Sequence, residues 1–273
     1  MKPIRSTIVY SALSLYAAFS LFPVYFSLIS SFKENNEIFS EPFAWPKVFH
    51  FDNYSRAWEL AQVGVYFRNS LILTVGTCLL LVILGSMTSY VFARMQFKGK
   101  SFLFIFIIMG MMIPIHSTMI PLAFNIGYFG LRDNMFILIV VMAAFSLSMT
   151  IFILAAFMRS IPGELEESAV MDGCTNWQVF YHILIPMSIP AIATVTIFNF
   201  LGAWNNLLFP LLFISQKSMM PIAYGLLAFF AERQSDYGGV MAAIVFTIFP
   251  PLIIYVLLQE KVEQGLTAGA VKG

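Results

Sequence analysis

The chain has 273 residues, 59% of them hydrophobic and only 11% charged, with a mean hydropathy of +0.83. A soluble domain carries about 25% charged residues, so the composition excludes a water-solvated globule and requires lipid as solvent. The net charge of +1 argues against nucleic acid as a partner, and Cys78 and Cys174 lie in no metal-ligand or redox spacing, so neither a metal site nor a disulfide is read.

Lys2 and Arg5 precede an apolar run over about 8–29. A secretory signal has an apolar core of only about 7–15 residues, so this run reads as an uncleaved first span with the N-terminus inside. No small-x-small site follows it before Lys33 and Glu34. Residues 31–67 are the longest polar excursion. Pro42, Pro46 and several aromatics make it a folded external loop and a candidate surface for an external partner. Asp52 is the expected cap of a short helix over 53–60, with Arg56 and Glu59 on its solvated face.

The second span is expected over 69–92. Arg94, Lys98 and Lys100 follow with no acid among them, which keeps this short loop in the cytoplasm and fixes the orientation. Gly99-Lys100-Ser101 resembles the end of a phosphate-binding loop. That motif needs a glycine five positions before Gly99, where Arg94 stands, so the chain has no nucleotide site of its own. The third span, about 102–124, holds Pro114 and Pro121, which kink or break helices, with His116 between them. A membrane-embedded histidine is either functional or a packed, hydrogen-bonded core group. Arg132 and Asp133 mark a short outer loop before a fourth span over 135–157.

A long polar segment follows, at 160–187. It reads as two short helices meeting at Gly173, the first opened by Ser160 or Ile161 with Pro162 in its first turn. Glu164, Glu166 and Glu167 then lie near the positive end of the helix dipole. Gly173 falls where a helix ends in a left-handed turn. Thr175 and Gln178 have capping-box spacing, and Pro186 is expected to stop the second helix. Apolar residues alternate with charged ones, which suits either a helix in the lipid headgroups or a knob laid into the groove of a soluble partner. Acidic character favours the partner, because surface helices on anionic membranes carry Lys and Arg.

The fifth span, about 188–213, contains Asn199, Asn205 and Asn206 around Gly202, Ala203 and Trp204. Unpaired amides cost several kcal/mol in hydrocarbon, so these face protein or water. Asn199, Gly202, Ala203 and Asn206 recur at helical spacing on one face, consistent with a solute pathway or with close, hydrogen-bonded helix packing. Trp204 either stacks on a sugar ring or fills space. An outer loop over 214–238 precedes a sixth span over 239–258, where Pro250-Pro251 predicts a kink, and a polar, glycine-rich tail. Six spans and the basic loop at 93–100 place both termini and the 158–187 segment inside.

Glu167-Ser168-Ala169, then Gly173, then Ile183-Leu184-Ile185-Pro186 resembles the cytoplasmic signature loop of ABC importer permeases. That pattern has Glu-Ala-Ala, a glycine four residues on, and Ile-x-Leu-Pro after nine more; Ser168 replaces an alanine and Ile185 a leucine. Asp172 before the glycine resembles the sugar-importer branch. The stretch from Gly265 to Gly273 is similar to the tail of the maltose-type permease subunits. The resemblance implies an all-α type I importer permease: 1–67 as first span and external loop, 68–260 as permease core with the elbow at 160–187, and 261–273 as cytoplasmic tail. It implies a second permease subunit, two ATP-binding subunits that use ATP and Mg, an extracytoplasmic solute-binding protein and a sugar cargo, with no cofactor on this chain. The implied docking residues are Glu164, Glu167, Ser168, Ala169, Asp172, Gly173, Trp177, Phe180, Ile183 and Pro186. The pathway candidates are His116, Asn199, Trp204, Asn205 and Asn206. A secondary transporter or channel would also be polytopic but needs no docking elbow. An intramembrane enzyme would need paired catalytic groups within its spans; no His-Glu-x-x-His occurs, and His116 has no obvious carboxylate partner in the sequence.

Overall fold

Long apolar runs with few breakers produce the long helices of this chain, and two of the interruptions fall at Pro114 and at Asn205-Asn206. The computed structural model describes residues 2–59, 62–232 and 236–270, and all regular structure among them is helical. In order these are α1 (Lys2–Ser30), α2 (Asn35–Ser40), α3 (Asp52–Glu59), α4 (Val63–Arg94), α5 (Lys100–Met109), α6 (Ile115–Tyr128) and α7 (Met135–Ser160). There follow α8 (Glu164–Met171), α9 (Asn176–Val179), α10 (Ile185–Met187), α11 (Ile189–Trp204), α12 (Leu208–Phe213), α13 (Ile222–Glu232) and α14 (Tyr237–Ala270). Four helices, α1, α4, α7 and α14, are long and apolar enough to cross a membrane. Two bent apolar pairs raise the number of crossings to as many as six, the number expected.

The chain divides into two compact units, 1–66 with 224–250 and 67–223 with 251–273. In the first, the excursion after α1 is a folded cap. Lys33 is fully buried, and its Nζ donates to the carbonyls of Glu41 at 2.8 Å and Pro42 at 3.4 Å. Asn53 donates to Ser31 O and Lys33 O, each at 2.9 Å, which pins α3 to the end of α1. Arg56 is not a merely solvated residue. It pairs with Asp52 one turn back and reaches both carboxylate oxygens of Asp236, at 3.2 and 3.3 Å.

In the second unit, the third expected span is two helices at 94°. The break falls at Ile113-Pro114, both extended, because the residue before a proline is driven out of the helical region. Pro121 lies within α6 without breaking it. The fifth expected span is also divided. α11 ends at Trp204, Asn205 to Leu207 interrupt, and α12 follows, begun by Asn206 Oδ1 accepting from Phe209 N at 3.1 Å. α14 runs unbroken through Pro250-Pro251 and on into the expected tail as far as Ala270; residues 271–273 lie outside the described residues.

Candidate docking elbow and solute cavity

The elbow starts later than its sequence suggests. Ser160 ends α7, and Pro162 lies ahead of α8, whose first residue is Glu164. A single connecting turn therefore separates the two helices, and Glu164, Glu166 and Glu167 fill the first turn of α8, where the dipole favours acids. Its end is a complete left-handed cap. Gly173 has φ +87°, its N–H donates to Val170 O at 3.0 Å, and the Cys174 N–H reaches back to Ala169 O at 2.9 Å. Thr175 and Gln178 then form the capping box. The Thr175 hydroxyl oxygen accepts from Gln178 N at 3.4 Å, and Gln178 Oε1 accepts from Thr175 N at 2.8 Å.

Pro186 does not stop the second arm. A five-residue π turn, Phe180–Leu184, opens the helix just before it, and α10 carries Pro186 on to Met187. A wide turn relieves the collision of a prolyl ring with the carbonyl one turn back. The stop comes at buried Ser188, where the path bends by 71° into α11.

The elbow has an inner and an outer face. Ala169, Val179, Phe180 and Leu184 are buried. Phe180 and Leu184 pack with Tyr90 of α4 and with Met158 and Ile161 at the end of α7. Glu164, Glu167, Ser168, Asp172, Gly173, Trp177 and Pro186 are exposed, and Ile183 is half-buried. Leu165, Val170, Met171 and Trp177 are exposed beside these acids, with Met171 at 87% and Trp177 at 60%. The outer face is thus a mixed surface, with exposed apolar side chains of this size set among carboxylates.

Arg94, expected to fix the orientation and to rule out a phosphate-binding loop, and Tyr90, which no sequence pattern singles out, both contact the elbow. Arg94 forms an ion pair with Glu166, each side chain only 16–17% exposed. The Tyr90 hydroxyl donates to Asn176 O at 3.2 Å, and its ring packs on Phe180 with centroids 5.1 Å apart. Burial pushes the Glu166 carboxyl above the usual carboxylate range, against the opposing pull of Arg94.

Between α4, α6, α7, α11 and α12 lies a cavity of about 180 Å³ lined by Thr77, Ser146, Asn199, Gly202, Asn206 and Phe209, among others. Asn199, Gly202, Ala203 and Asn206 thus meet at one cavity, although the helix carrying the first three ends before Asn206. Asn199 also borders a neighbouring, largely apolar pocket of about 200 Å³ with Met149, Thr150, Ile153, Val195 and Phe198. Asn205 caps the end of α11 and is exposed. His116 lies exposed in the first turn of α6. Trp204 is 1% exposed, stacked on Phe200 at 5.7 Å and edge-on to Phe67 at 5.6 Å, which is the space-filling arrangement. Among the described residues no group of three His, Cys, Asp or Glu side chains is placed to hold a metal.

Residues 66–268 match the family described as the binding-protein-dependent transport system inner membrane component. The chain belongs to this family. The diacetylchitobiose uptake system permease protein NgcG of Streptomyces coelicolor is 35% identical over 98% of this chain and 89% of its own length. The melibiose/raffinose/stachyose import permease protein MelC of Bacillus subtilis is 31% identical over 95% of this chain and 94% of its own. The fold matches a crystal structure of a bacterial ABC transporter involved in the import of the acidic polysaccharide alginate, with a TM-score of 0.80 at 22% identity, covering 94% of this chain and 96% of that one. This permease is accordingly a multi-pass component of the inner membrane, a transport subunit and not an enzyme.

Proposed function

We propose that this permease passes an oligosaccharide, delivered by an extracytoplasmic binding protein, across the membrane with a second permease subunit. The elbow docks on one of two ATP-binding subunits, which use ATP and Mg; both termini lie inside. The observation that carries the reading is the division of the elbow into two faces. One face is buried against α4 and α7, while the other leaves Leu165, Val170, Met171 and Trp177 exposed beside Glu164, Glu167 and Asp172. Such a surface suits a groove that supplies apolar contacts and basic groups.

Closure of the ATP-binding subunits moves the elbows, and the motion passes to the helices on either side, α7 and α11. The cavity lined by Asn199, Gly202 and Asn206 then opens alternately to the two sides. Its amides and small residues suit the hydroxyl groups of a sugar, and the family relatives named for disaccharide and oligosaccharide uptake support that cargo. The test is crosslinking from Met171 and Asp172, both exposed, in membranes of cells expressing the whole system. The expected product joins this chain to a nucleotide-hydrolysing subunit; products with lipid or with this chain alone would overturn the docking. Sugar uptake that persisted without any ATPase would favour the secondary transporter.

A further inference from the structure

The elbow is joined through the backbone to α7 on one side and α11 on the other, but not to α4. Two polar links tie it to α4 among the described residues, the Arg94–Glu166 ion pair and the Tyr90 hydroxyl on Asn176 O. At the same level α4 and α7 are fastened to each other reciprocally. Arg94, in the last turn of α4, donates from Nη2 to Ile161 O at the end of α7, at 2.7 Å. Arg159, in the last turn of α7, donates from Nη2 to Phe92 O near the end of α4, at 3.3 Å. Each guanidinium serves the other helix's terminal carbonyls, which lack intrahelical partners and carry the negative end of the dipole. The Arg159 guanidinium also lies 4.6 Å above the Phe104 ring of α5, so three inner helix ends are gathered at one place.

We propose that Arg94 is the positioning residue that carries elbow motion to α4, so that α4 and α7 turn as one body when the elbow moves. Only a fork with several donors spans a carboxylate on one side and a carbonyl on the other; a lysine ammonium is a point donor at the end of a flexible stem. The inference rests on the docking reading above and adds a route that the backbone does not provide.

The experiment uses the whole transport complex reconstituted in proteoliposomes, with co-purification of the ATP-hydrolysing subunit, ATP hydrolysis and uptake measured on the same preparations. Arg94→Lys preserves the charge that sets orientation, and Glu166→Gln, near-isosteric, removes the ion pair from the elbow side without touching the reciprocal clamp. Both variants are expected to co-purify normally and to hydrolyse ATP, with uptake per ATP reduced about fivefold or more, the low end of typical coupling free energies. The double variant is expected to be no worse than the more severe single one, since both cut the same link. A control, Glu167→Arg on the exposed face, separates the two readings. If it co-purifies and transports normally, docking fails and the Arg94 proposal falls with it. If it loses the ATPase while Arg94→Lys and Glu166→Gln keep normal uptake per ATP, only the Arg94 proposal is overturned. A merely structural role predicts lowered yield with an unchanged ratio.

Discussion

Asn199 of α11 donates from Nδ2 to Thr150 Oγ1 of α7 at 3.0 Å, and the Thr150 hydroxyl in turn donates a hydrogen bond to Ser146 O, also at 3.0 Å. The relay ties the two helices that flank the elbow at a point where Asn199 also borders both cavities. Removing the two ends has unequal consequences. Thr150→Val strips the acceptor from the Asn199 amide, whereas Asn199→Ala leaves Thr150 still bonded to Ser146. Thr150→Val is therefore expected to cost more in thermal unfolding in detergent, with a pairwise coupling of about 0.6–1.7 kcal/mol in a double-mutant cycle. If the Asn199 amide also touches the solute, Asn199→Ala raises the KM of uptake and Thr150→Val does not.

At Gly173 the backbone alone sets the requirement. An added Cβ there would meet no atom within 4 Å, so any penalty comes from φ +87° and not from crowding. Gly173→Val is expected to destabilise the elbow by about 1–2 kcal/mol, and Gly173→Asn by less, because asparagine tolerates the left-handed region. Hydrogen exchange at the amides of Gly173 and Cys174, which close the cap, reads this directly. Equal exchange in the Val and Asn variants would count against it.

Glu166 yields a prediction with a definite sign. Its carboxyl is raised by burial despite Arg94, so its contribution to holding α8 is present at low pH and is lost as the pH rises through the folded-state value. Glu166→Gln is accordingly expected to leave α8 as stable or slightly more so at neutral pH and to remove this titration. Arg94→Ala leaves a largely buried carboxylate without its counter-ion and is expected to cost about 1–3 kcal/mol. Protection of the α8 amides, followed from pH 4 to 8 by hydrogen exchange, separates the variants.

Asp133 is the opposite case. Its backbone is left-handed, φ +56°, and its carboxylate accepts from Ser215 N at 2.6 Å, Ser215 Oγ at 2.5 Å and Gln216 N at 3.1 Å. These hydrogen bonds hold the carboxyl below the usual range. The latch between the loop before α7 and the loop after α12 is thus present at neutral pH and lost as the pH falls through the lowered value. Asp133→Asn keeps an acceptor and tolerates the backbone; Asp133→Gly keeps the backbone and loses the carboxylate. Exchange at the Ser215 and Gln216 amides is expected to accelerate in the Gly variant, and in the native chain only under strong acid.

These cases show what was legible and why. The turn at Gly173 and the box at Thr175 and Gln178 are local, with every partner within five residues, and each formed at the expected residues. The clamp of Arg94 on Ile161 and Arg159 on Phe92 joins groups 67 positions apart, and Asp133 meets Ser215 across 82. No periodicity encodes such pairings, so Arg94 read as a topology marker and Asp133 as a loop residue. Proline was only half informative. Pro114 broke its span, whereas Pro121, Pro250 and Pro251 lie in continuous helix and Pro186 follows a widened turn. Whether the local turn can open to accommodate the ring is decided by packing, not by the residue.

Gly202 tests whether the cavity beside Asn199 and Asn206 carries solute. The spacing of small residues suits close helix packing, yet an added Cβ at Gly202 would meet nothing within 4 Å in this chain. Gly202→Ala is therefore expected to stabilise α11 by about 0.5–1 kcal/mol, the ordinary gain of replacing glycine inside a helix, with uptake retained. Gly202→Phe directs a ring into a cavity of about 180 Å³ and is expected to abolish uptake while the assembled complex still hydrolyses ATP. Loss of assembly in Gly202→Ala would instead mean that a second subunit packs closely against this face. Normal uptake in Gly202→Phe would remove the cavity from the pathway.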